Sequence, residues 1–269
     1  MVVLIKILAF LFLILAATHV TLAMKFKSLA SDLMDQVSSG PAPVAPTTAL
    51  PEAILRFTHR AGADRNQLMR TVRLIQSAEM RLKRGGDWQA LTADQVISTG
   101  APGFVWLARQ TIGPLVKFRV IDAYVKGEGR LNVRALGSIP VANSTGPETD
   151  LAEAMRYLAE LVWAPDAMLG NPALRWAEQP DGSVTVGLDL ADATAQVTFF
   201  FDPEGDIIEV RAKDRPAEVG VYRDWVIKVG QYRDFGVRRV PAWGEVGYIY
   251  PDGYEAYWRG EITSYLVQQ

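Results

Sequence analysis

The segment ETDLAEAMRYLAELVWAPDAML, from Glu148 to Leu169, carries the clearest helical pattern in a chain that otherwise reads mostly as strand. Its apolar residues recur every three or four positions, which places them on one face of a helix. This apolar stripe consists of Leu151, Met155, Leu158 and Val162. The flanking sequence alternates with a period of two, as strands do. We therefore expect one helix of about four turns that packs on a curved antiparallel sheet.

Polar residues mark the ends of this helix and the face opposite the stripe. Asp150 and Glu153 fit a capping box at the start, and Pro165 marks the end. Arg156 and Glu160 lie four residues apart on the polar face, where a solvent-exposed ion pair would contribute about 0.2–0.5 kcal/mol. If a second layer covers that face, the pair would instead line a site and orient a polar head group.

The composition argues against several classes of function. The 269 residues carry a net charge of −2, a pI near 5.8 and 49% hydrophobic residues. A nucleic-acid partner requires a basic face, which this balance does not indicate. The chain has no cysteine and only His19 and His59, so neither disulfides, a histidine-based metal site nor a Ser-His-Asp triad is expected. We predict no cofactor.

Residues 1–23 are almost wholly apolar and fit two interpretations. As a secretory signal, they offer Lys6 before an apolar centre and a small-residue site at Thr21-Leu22-Ala23. As an anchor, about 20 apolar residues would cross roughly 30 Å of hydrocarbon. Lys25 and Lys27 follow at once and would hinder export of a cleaved chain, which favours an uncleaved membrane anchor. Flanking positive charges are balanced, so orientation stays undecided, with the extracytoplasmic side slightly favoured for the soluble domain.

Residues 24–49 are interpreted as a short juxtamembrane helix and a linker. The helix would rest on the membrane surface, or form a solvated or self-associating stalk. Its narrow apolar seam consists of Phe26, Leu29, Leu33 and Val37. The stretch from Ser38 to Thr48 contains three prolines, which is typical of an extended linker. This linker is predicted to separate the membrane from the domain.

Residues 50–269 are predicted to form a single domain with a short helix, from Thr48 to Ala61, ahead of about eleven strands. The run from Phe104 to Ala108 is continuously apolar, so this strand is buried on both sides or meets a helix with its second face. Short turns imply antiparallel neighbours, and a sheet of this size tends to curl or close. The predicted fold class is α+β, mainly β: an open or half barrel with a helix inserted on its concave side.

Several short phrases of the sequence, taken in order, resemble those of one known family. They are Leu50-Pro51, Met80-Arg81 with Trp88, Pro102-Gly103-Phe104-Val105-Trp106, Tyr124 with Gly127-Glu128-Gly129, Arg156-Tyr157-Leu158-Ala159-Glu160 with Trp163-Ala164-Pro165, Arg211-Ala212-Lys213-Asp214-Arg215, and Pro241 with Glu245-Val246. Together they cover Leu50 to Val267 and are similar to a family of bacterial membrane-associated proteins known only as a domain of unknown function. The resemblance implies no reaction or ligand. In shape alone, the expected architecture is also similar to the open barrels of periplasmic lipoprotein carriers.

The predicted site is an apolar hollow between the sheet and the central helix, although aromatic residues at strand spacing are also typical of a packed core. Asp122 follows apolar residues on one strand face, so it is a buried carboxylate or marks where that face leaves the core. A buried carboxylate needs an arginine partner. Arginines suited to that role are Arg211, Arg215, Arg238 and Arg259. The predicted ligand-binding residues are Trp106, Phe118, Asp122, Tyr124, Arg156, Glu160, Trp163, Phe199, Trp225 and Trp258.

Three functions follow as hypotheses. The first is a membrane-anchored domain that binds an apolar or amphipathic ligand, such as lipid, with the central helix as a plug or lid. The second is an envelope scaffold with a filled core that binds a protein partner whose identity is unknown. The third is a hydrolase in which Asp122 and Glu160 act as the acid and base. The sequence leans away from an enzyme.

Overall fold

A computed structural model describes residues 1–45, 49–113 and 115–269. It confirms the predicted fold class, since one large antiparallel sheet is curved into a half barrel and a helix lies on its concave side. Within the described residues, the helices are α1 (Val2–Ser38), α2 (Glu52–Arg60), α3 (Pro147–Ala159) and α4 (Pro165–Gly170), with a 3₁₀ segment at Glu160–Trp163 between the last two.

Thirteen strands form the sheet in the described part of the chain, against the eleven expected. The first six are β1 (Thr71–Met80), β2 (Gln89–Ser98), β3 (Gly103–Ile112), β4 (Leu115–Val125), β5 (Glu128–Ala135) and β6 (Ile139–Ser144). The others are β7 (Arg175–Glu178), β8 (Val184–Asp189), β9 (Thr194–Phe201), β10 (Ile207–Glu218), β11 (Val221–Phe235), β12 (Arg238–Tyr250) and β13 (Gly253–Gln268). The two strands that the sequence did not predict are β6 and β7.

The order of the strands explains why the helix lies in the hollow. It runs β6-β5-β4-β3-β2-β1-β13-β12-β11-β10-β9-β8-β7, so the first and last strands pair at the centre and β6 and β7 are the two edges. The chain must therefore pass from one edge to the other between β6 and β7. The segment that makes this crossing contains α3, which packs against β5 on one side and against β9 and β10 on the other.

Side chains of β3 show how each strand divides between two faces. Phe104 and Trp106 point into the concave core, whereas Val105 lies on the convex face against α1. The continuously apolar run was predicted to be buried on both sides or to meet a helix with its second face, and the second alternative is confirmed. Alternation with a period of two places successive residues on opposite faces, so both layers need apolar residues here.

The central helix is shorter than predicted and begins differently. Regular α-helix ends at Ala159, and the 3₁₀ segment carries the chain on to Pro165. The N-cap is Gly146, whose φ is 98°, and no side chain caps the helix. The expected capping box is therefore wrong. The Asp150 carboxylate instead accepts a hydrogen bond from the backbone N–H of Gly129 at 2.6 Å, which ties α3 to β5.

The N-terminal segment and the predicted juxtamembrane helix are one continuous helix, α1. Its apolar seam packs on the convex face of the sheet rather than on a membrane or in solvent. Phe26, Ala30, Leu33 and Val37 bury against Val96, Val105, Ile121 and Ala123. The window of α1 with the highest mean hydropathy, 2.5, is not buried at all, and the helix is long and apolar enough to cross a membrane.

The proline-rich segment after α1 does not hold the domain away from the helix. The N–H of Val44 donates to the carbonyl of Gly170 at 2.8 Å, and the ring of Pro43 fills the space beside Gly170. Gly100 faces the backbone of Pro41 so closely that a Cβ would lie 2.2 Å from its oxygen. Residues 41–44 thus pack on the domain, and the predicted residues Pro46 and Thr48 lie outside the described ranges.

Candidate functional site

A small cavity of about 90 Å³ lies beneath the C-terminal part of α3 and the 3₁₀ segment. At about 30 Å³ per water molecule, it has room for roughly three. Four tryptophans form much of its wall, and two arginines and two carboxylates converge on it. The lining residues are Gln76, Met80, Trp106, Asp122, Arg156, Glu160, Trp163, Arg215, Trp225, Ile227, Val246, Tyr257 and Trp258.

Seven of the ten predicted site residues line this cavity. They are Trp106, Asp122, Arg156, Glu160, Trp163, Trp225 and Trp258. The other three lie elsewhere. Phe118 is half-buried near the open end of β4 with the ammonium of Lys117 over its ring, Tyr124 is buried beside α3, and Phe199 stacks on Trp176 at a ring distance of 6.2 Å.

Arg156 is the centre of the charged groups and is not solvent-exposed. Its guanidinium donates to Glu160 Oε1 at 2.9 Å and to Asp122 Oδ2, and its carbon lies about 5 Å from the rings of Phe104 and Trp106. The expected solvated pair is therefore wrong, because β4 and β3 cover this face of the helix. The partner of Asp122 is Arg156, whereas sequence reasoning had offered four other arginines.

Those four arginines have other partners. Arg211 pairs with Glu209, Arg215 with Glu153, Arg238 with Asp166 and Arg259 with Glu79. The choice could not be made from sequence because it depends on which strands the curved sheet brings under α3. Asp122 and Glu160 each bind Arg156, so a cation lies between the two carboxylates that the hydrolase hypothesis requires.

A chain of hydrogen bonds extends from Glu160 into the floor of the hollow. Gln95 donates to Glu160 Oε2, Gln76 donates to Gln95 at 3.0 Å, and the indole N–H of Trp106 donates to Gln76 at 2.8 Å. Burial raises the pKa of Glu160, and the hydrogen bonds from Arg156 and Gln95 oppose that rise. Neither glutamine was predicted, because a polar residue in a strand reads as solvent-facing.

Glu153, which the sequence assigned to a capping box, is a third buried carboxylate. Burial first, and then the negative charge of Asp122, raise its pKa well above the usual 4.5, while Arg215 and Arg156 oppose the rise. Asp122 Oδ1 and Glu153 Oε2 are both buried and have no hydrogen-bond donor from another group. A proton on Glu153 would satisfy both oxygens, as in a carboxyl–carboxylate pair.

Arg215 completes the cluster from β10. It lies 3.6 Å from Glu153 Oε1, donates to the hydroxyl of Tyr248 at 2.6 Å and stacks over Trp225 at 4.5 Å. Its Nε is buried without a hydrogen-bond partner. The cluster thus contains three carboxylates and two guanidiniums, so it carries one excess negative charge when every group is ionised. Among the residues described, no group of three His, Cys, Asp or Glu side chains is arranged to hold a metal ion.

A larger groove of about 1080 Å³ runs along β8 to β11. It is open to solvent, and its charged residues Glu209 and Arg211 pair with each other at the surface. Size alone would favour this groove. The smaller cavity is the stronger candidate because its charged groups are buried, and burying charge is costly unless something offsets it.

Comparison with known proteins identifies the family. A family model described as "Family of unknown function (DUF6544)" matches residues 44–260. The chain belongs to this family. The assignment confirms the resemblance carried by the sequence phrases, and no curated protein matches the chain.

Three solved structures are similar to this member of DUF6544. A candidate outer membrane lipoprotein-sorting protein domain from Vibrio parahaemolyticus has 9% identity and a TM-score of 0.42, with 74% of this chain and 86% of that chain covered. A DUF1329 family protein from Desulfovibrio piger has 7% identity and a TM-score of 0.47, with 80% and 90% covered. A β-barrel-like DUF1849 protein from Brucella abortus has 13% identity and a TM-score of 0.23, with 76% and 99% covered. At such values these likenesses carry no conclusion about a ligand.

Proposed function

We propose that this protein is a membrane-anchored binding protein, that its ligand is amphipathic and most simply a lipid, and that α3 is the lid of the hollow. The observation that carries the proposal is the composition of the cavity wall. Trp106, Trp163, Trp225 and Trp258 offer apolar surface, while Arg156 and Arg215 stand beside buried carboxylates at one side. Ligand sites commonly combine an apolar wall with a few convergent polar groups. The apolar helix α1 brings lipid within reach.

The attachments of α3 support its role as a lid. Its N-terminal end is held by surface contacts, in which Tyr222 donates to Glu148 at 2.8 Å and Gly220 N–H lies 3.4 Å from the same carboxylate. Its C-terminal end is held in the core, where Trp163 donates to the carbonyl of Pro241 and accepts from Tyr265. Since Trp163 ends the 3₁₀ segment, the junction from Ala159 to Glu160 lies between α3 and this fixed point and is suited to act as a hinge.

In this proposal, the small volume of the cavity means that the lid is closed. About 90 Å³ is well below the 300–1,000 Å³ of common ligand pockets, so an acyl chain requires α3 to move. Opening would expose Glu153, Arg156 and Glu160, which face inward, to the incoming head group. The closed arrangement is thus the unloaded state in this proposal, and its charged groups pair with one another until a ligand replaces some of those contacts.

A crosslink that fixes α3 tests the proposal. The chain has no cysteine, so Glu148→Cys with Tyr222→Cys creates a single pair that a short bifunctional thiol reagent can join. The full chain is placed in vesicles of brominated phosphatidylcholine, which quenches tryptophan on contact. All seven tryptophans lie beyond Asp87, outside α1, so the anchor itself contributes no signal. We expect quenching in the unlinked protein and its loss after crosslinking.

The control is each single-cysteine variant treated with the same reagent, which must stay as quenched as the untreated protein. Equal quenching before and after crosslinking, or none in either, would contradict the role of α3 as a lid. A near-zero signal in every variant would instead favour the scaffold hypothesis.

The scaffold remains the second candidate because α3 already fills most of the hollow. Met155, Leu158, Leu161 and Val162 are buried among residues of the sheet, as a packed core requires. Under this alternative, Trp163→Ala would lower the melting temperature without changing any bound lipid. The measurement that separates the two is thermal unfolding combined with mass spectrometry of lipids carried by the purified full chain.

A further inference from the structure

One end of the half barrel carries an exposed apolar fringe where α1 leaves the domain. Its residues belong to the turn between β3 and β4 and to the start of β6 with the turn before it. They are Ile112, Leu115, Leu136, Ile139 and Val141, each about half exposed or more. The two turns are adjacent, since the N–H of Leu136 donates to the carbonyl of Lys117 at 2.9 Å. Exposed apolar residues gathered in one place mark an interaction surface.

The conformation of Leu136 strengthens this observation. Its φ is 52°, in the left-handed region that favours glycine or asparagine, and its side chain is 57% exposed. A leucine in such a turn is unfavourable both for its backbone and for its contact with water. The strained backbone and the exposed side chain of Leu136 add nothing to packing within the domain. Only a contact outside the domain therefore explains a leucine at this position.

The contacts of α1 place the fringe at the level of the membrane boundary. Ser138 lies 2.6 Å from a ring nitrogen of His19, while Val37 lies beside Gly103 at the opposite end of the same strands. His19 to Val37 spans about 27 Å of helix at 1.5 Å per residue. The apolar stretch of α1 continues to Ala23 and is followed by Lys25 and Lys27, so the edge of a hydrocarbon layer lies within about one helical turn of His19, near the level of the turn that holds Leu136.

A row of three arginines lies next to the fringe, on the side farther from the end of the half barrel. Arg109 pairs across strands with Arg119, and Arg119 pairs with Arg134, so the three side chains share the convex face. Like charges directly opposite one another are destabilising. Among the described residues, none of the three forms an ion pair, and Arg134 Nε is buried without a partner. No acidic residue occurs from Gln95 to Ile121 or from Gly129 to Pro147.

The distance from the fringe to the arginine row is similar to the thickness of the lipid head-group layer. Arg134 is two residues from Leu136, which is about 7 Å along a strand, and Arg109 is three residues from Ile112, about 10 Å. The head-group layer on each side of a bilayer is roughly 5–8 Å thick, as the difference between total and hydrocarbon thickness gives. With apolar tips at the hydrocarbon boundary, the arginines are level with phosphate.

We propose that this fringe and the arginine row dock the domain on an anionic lipid bilayer beside its own anchor. Ile112, Leu115 and Leu136 enter the interface, while Arg109, Arg119 and Arg134 bind phosphates, which provide the anions that the protein does not. The site rests on the role of α1 as an anchor. It is separate from the hollow, because its arginines lie on the convex face of the sheet.

Single cysteines carrying an environment-sensitive NBD label test the docking. The full chain with Leu136→Cys is reconstituted into phosphatidylcholine vesicles with and without phosphatidylglycerol. Glu128→Cys is the matched control, since Glu128 lies on the same strand β5 eight residues away, about 26 Å farther from the bilayer. We expect a blue-shifted emission, quenched by head-group nitroxide lipid, at Leu136 and a water-like emission at Glu128.

Replacing Arg109, Arg119 and Arg134 together by Gln tests the charged half of the proposal. A basic residue near an anionic surface contributes about 1 kcal/mol, so the ratio of inserted to detached domain should fall about fivefold per arginine. The matched triple variant Arg175→Gln, Arg211→Gln and Arg233→Gln should leave that ratio unchanged. Water-like emission at Leu136 in anionic vesicles overturns the proposal, and so does self-quenching between labelled copies, which would make the fringe an interface between two chains.

Discussion

Two buried charge clusters lie at the two ends of the segment that crosses the hollow, and they differ in how completely they are satisfied. At the α4 end, Arg238 makes a bidentate pair with Asp166 at 2.7 and 2.9 Å. Its remaining nitrogen donates to the carbonyls of Gly62 and Val237, and the N–H of Met69 donates to Asp166. Every charged atom of this pair has a partner.

The cluster under α3 is unbalanced. Three carboxylates share two guanidiniums and a cavity, and Arg215 retains an unpartnered nitrogen. A satisfied pair fixes geometry, whereas an unbalanced cluster next to open space can accept a new group. The difference indicates that the α4 end holds the crossing segment in place and that the α3 end is the part available for function.

The largest expected effect is at the satisfied pair. Asp166→Asn leaves the Arg238 guanidinium buried without its counter-charge, and removing one partner of such a pair costs about 3–5 kcal/mol. We expect a matching loss in the free energy of unfolding, measured by urea denaturation. Asp94→Asn, which breaks an exposed pair with Arg73, serves as the control and should cost at most about 1 kcal/mol.

In the unbalanced cluster under α3, we expect a substitution to have a smaller effect of opposite sign, which is a gain in stability. The pKa of Glu153 is raised in the folded protein, so its contribution to stability is fully present below the unfolded value and is lost as pH rises through the folded one. Glu153→Gln is neutral at every pH and should remove that loss. We expect a melting temperature equal to that of the original protein near pH 4 and higher by about 2–4 °C at pH 8, for about 1 kcal/mol.

Equal melting curves of Glu153→Gln and the original protein at pH 8 would show that ionisation of Glu153 does not destabilise the fold. The two clusters would then not differ as described. A lower melting temperature for Glu153→Gln at both pH values would place its carboxylate among the stabilising groups.

The smallest effect is expected at the N-terminal end of α3. Glu148→Gln weakens the contacts to Tyr222 and Gly220 at the surface, so the global melting temperature should hardly change. Amide hydrogen exchange in the first turns of α3 should become faster, because local opening requires less free energy. Exchange in α4, beside the satisfied pair, should stay as slow as before, and acceleration there would mean that the crossing segment opens as one unit.

Sequence reasoning found the elements whose pattern is local. The apolar stripe of α3 follows from spacing alone, and most strands follow from alternation. It missed β6 and β7, which are the edges of the sheet, because β6 contains Pro140 and is mostly exposed, and β7 has only four residues. Edge strands are short and polar for physical reasons, so their patterns are weak.

The candidate site was predicted only in part, because sequence patterns show local features alone. Aromatic residues at strand spacing led to Trp106, Trp225 and Trp258, and the central helical segment led to Trp163. The burial of Glu153, Arg156 and Glu160 could not be predicted, because it requires β4 and β10 to meet opposite sides of α3. A helix with one apolar stripe resembles a surface helix until the second layer is known. The partner of Asp122, Arg156, was missed for the same reason, because a local sequence pattern does not show which distant residues meet in the fold.

The pairing of the first strand with the last sets the timing of assembly during synthesis. Thr71 and Gln268 are hydrogen-bonded across 197 residues of chain, whereas every other strand pair among the described residues joins two strands that are consecutive in the sequence. Each half of the sheet can therefore form as a local meander, but the seam between the halves closes only after β13 has left the ribosome. Because β1 is made first and β13 last among the described strands, the half barrel has no centre until both meanders have been synthesised.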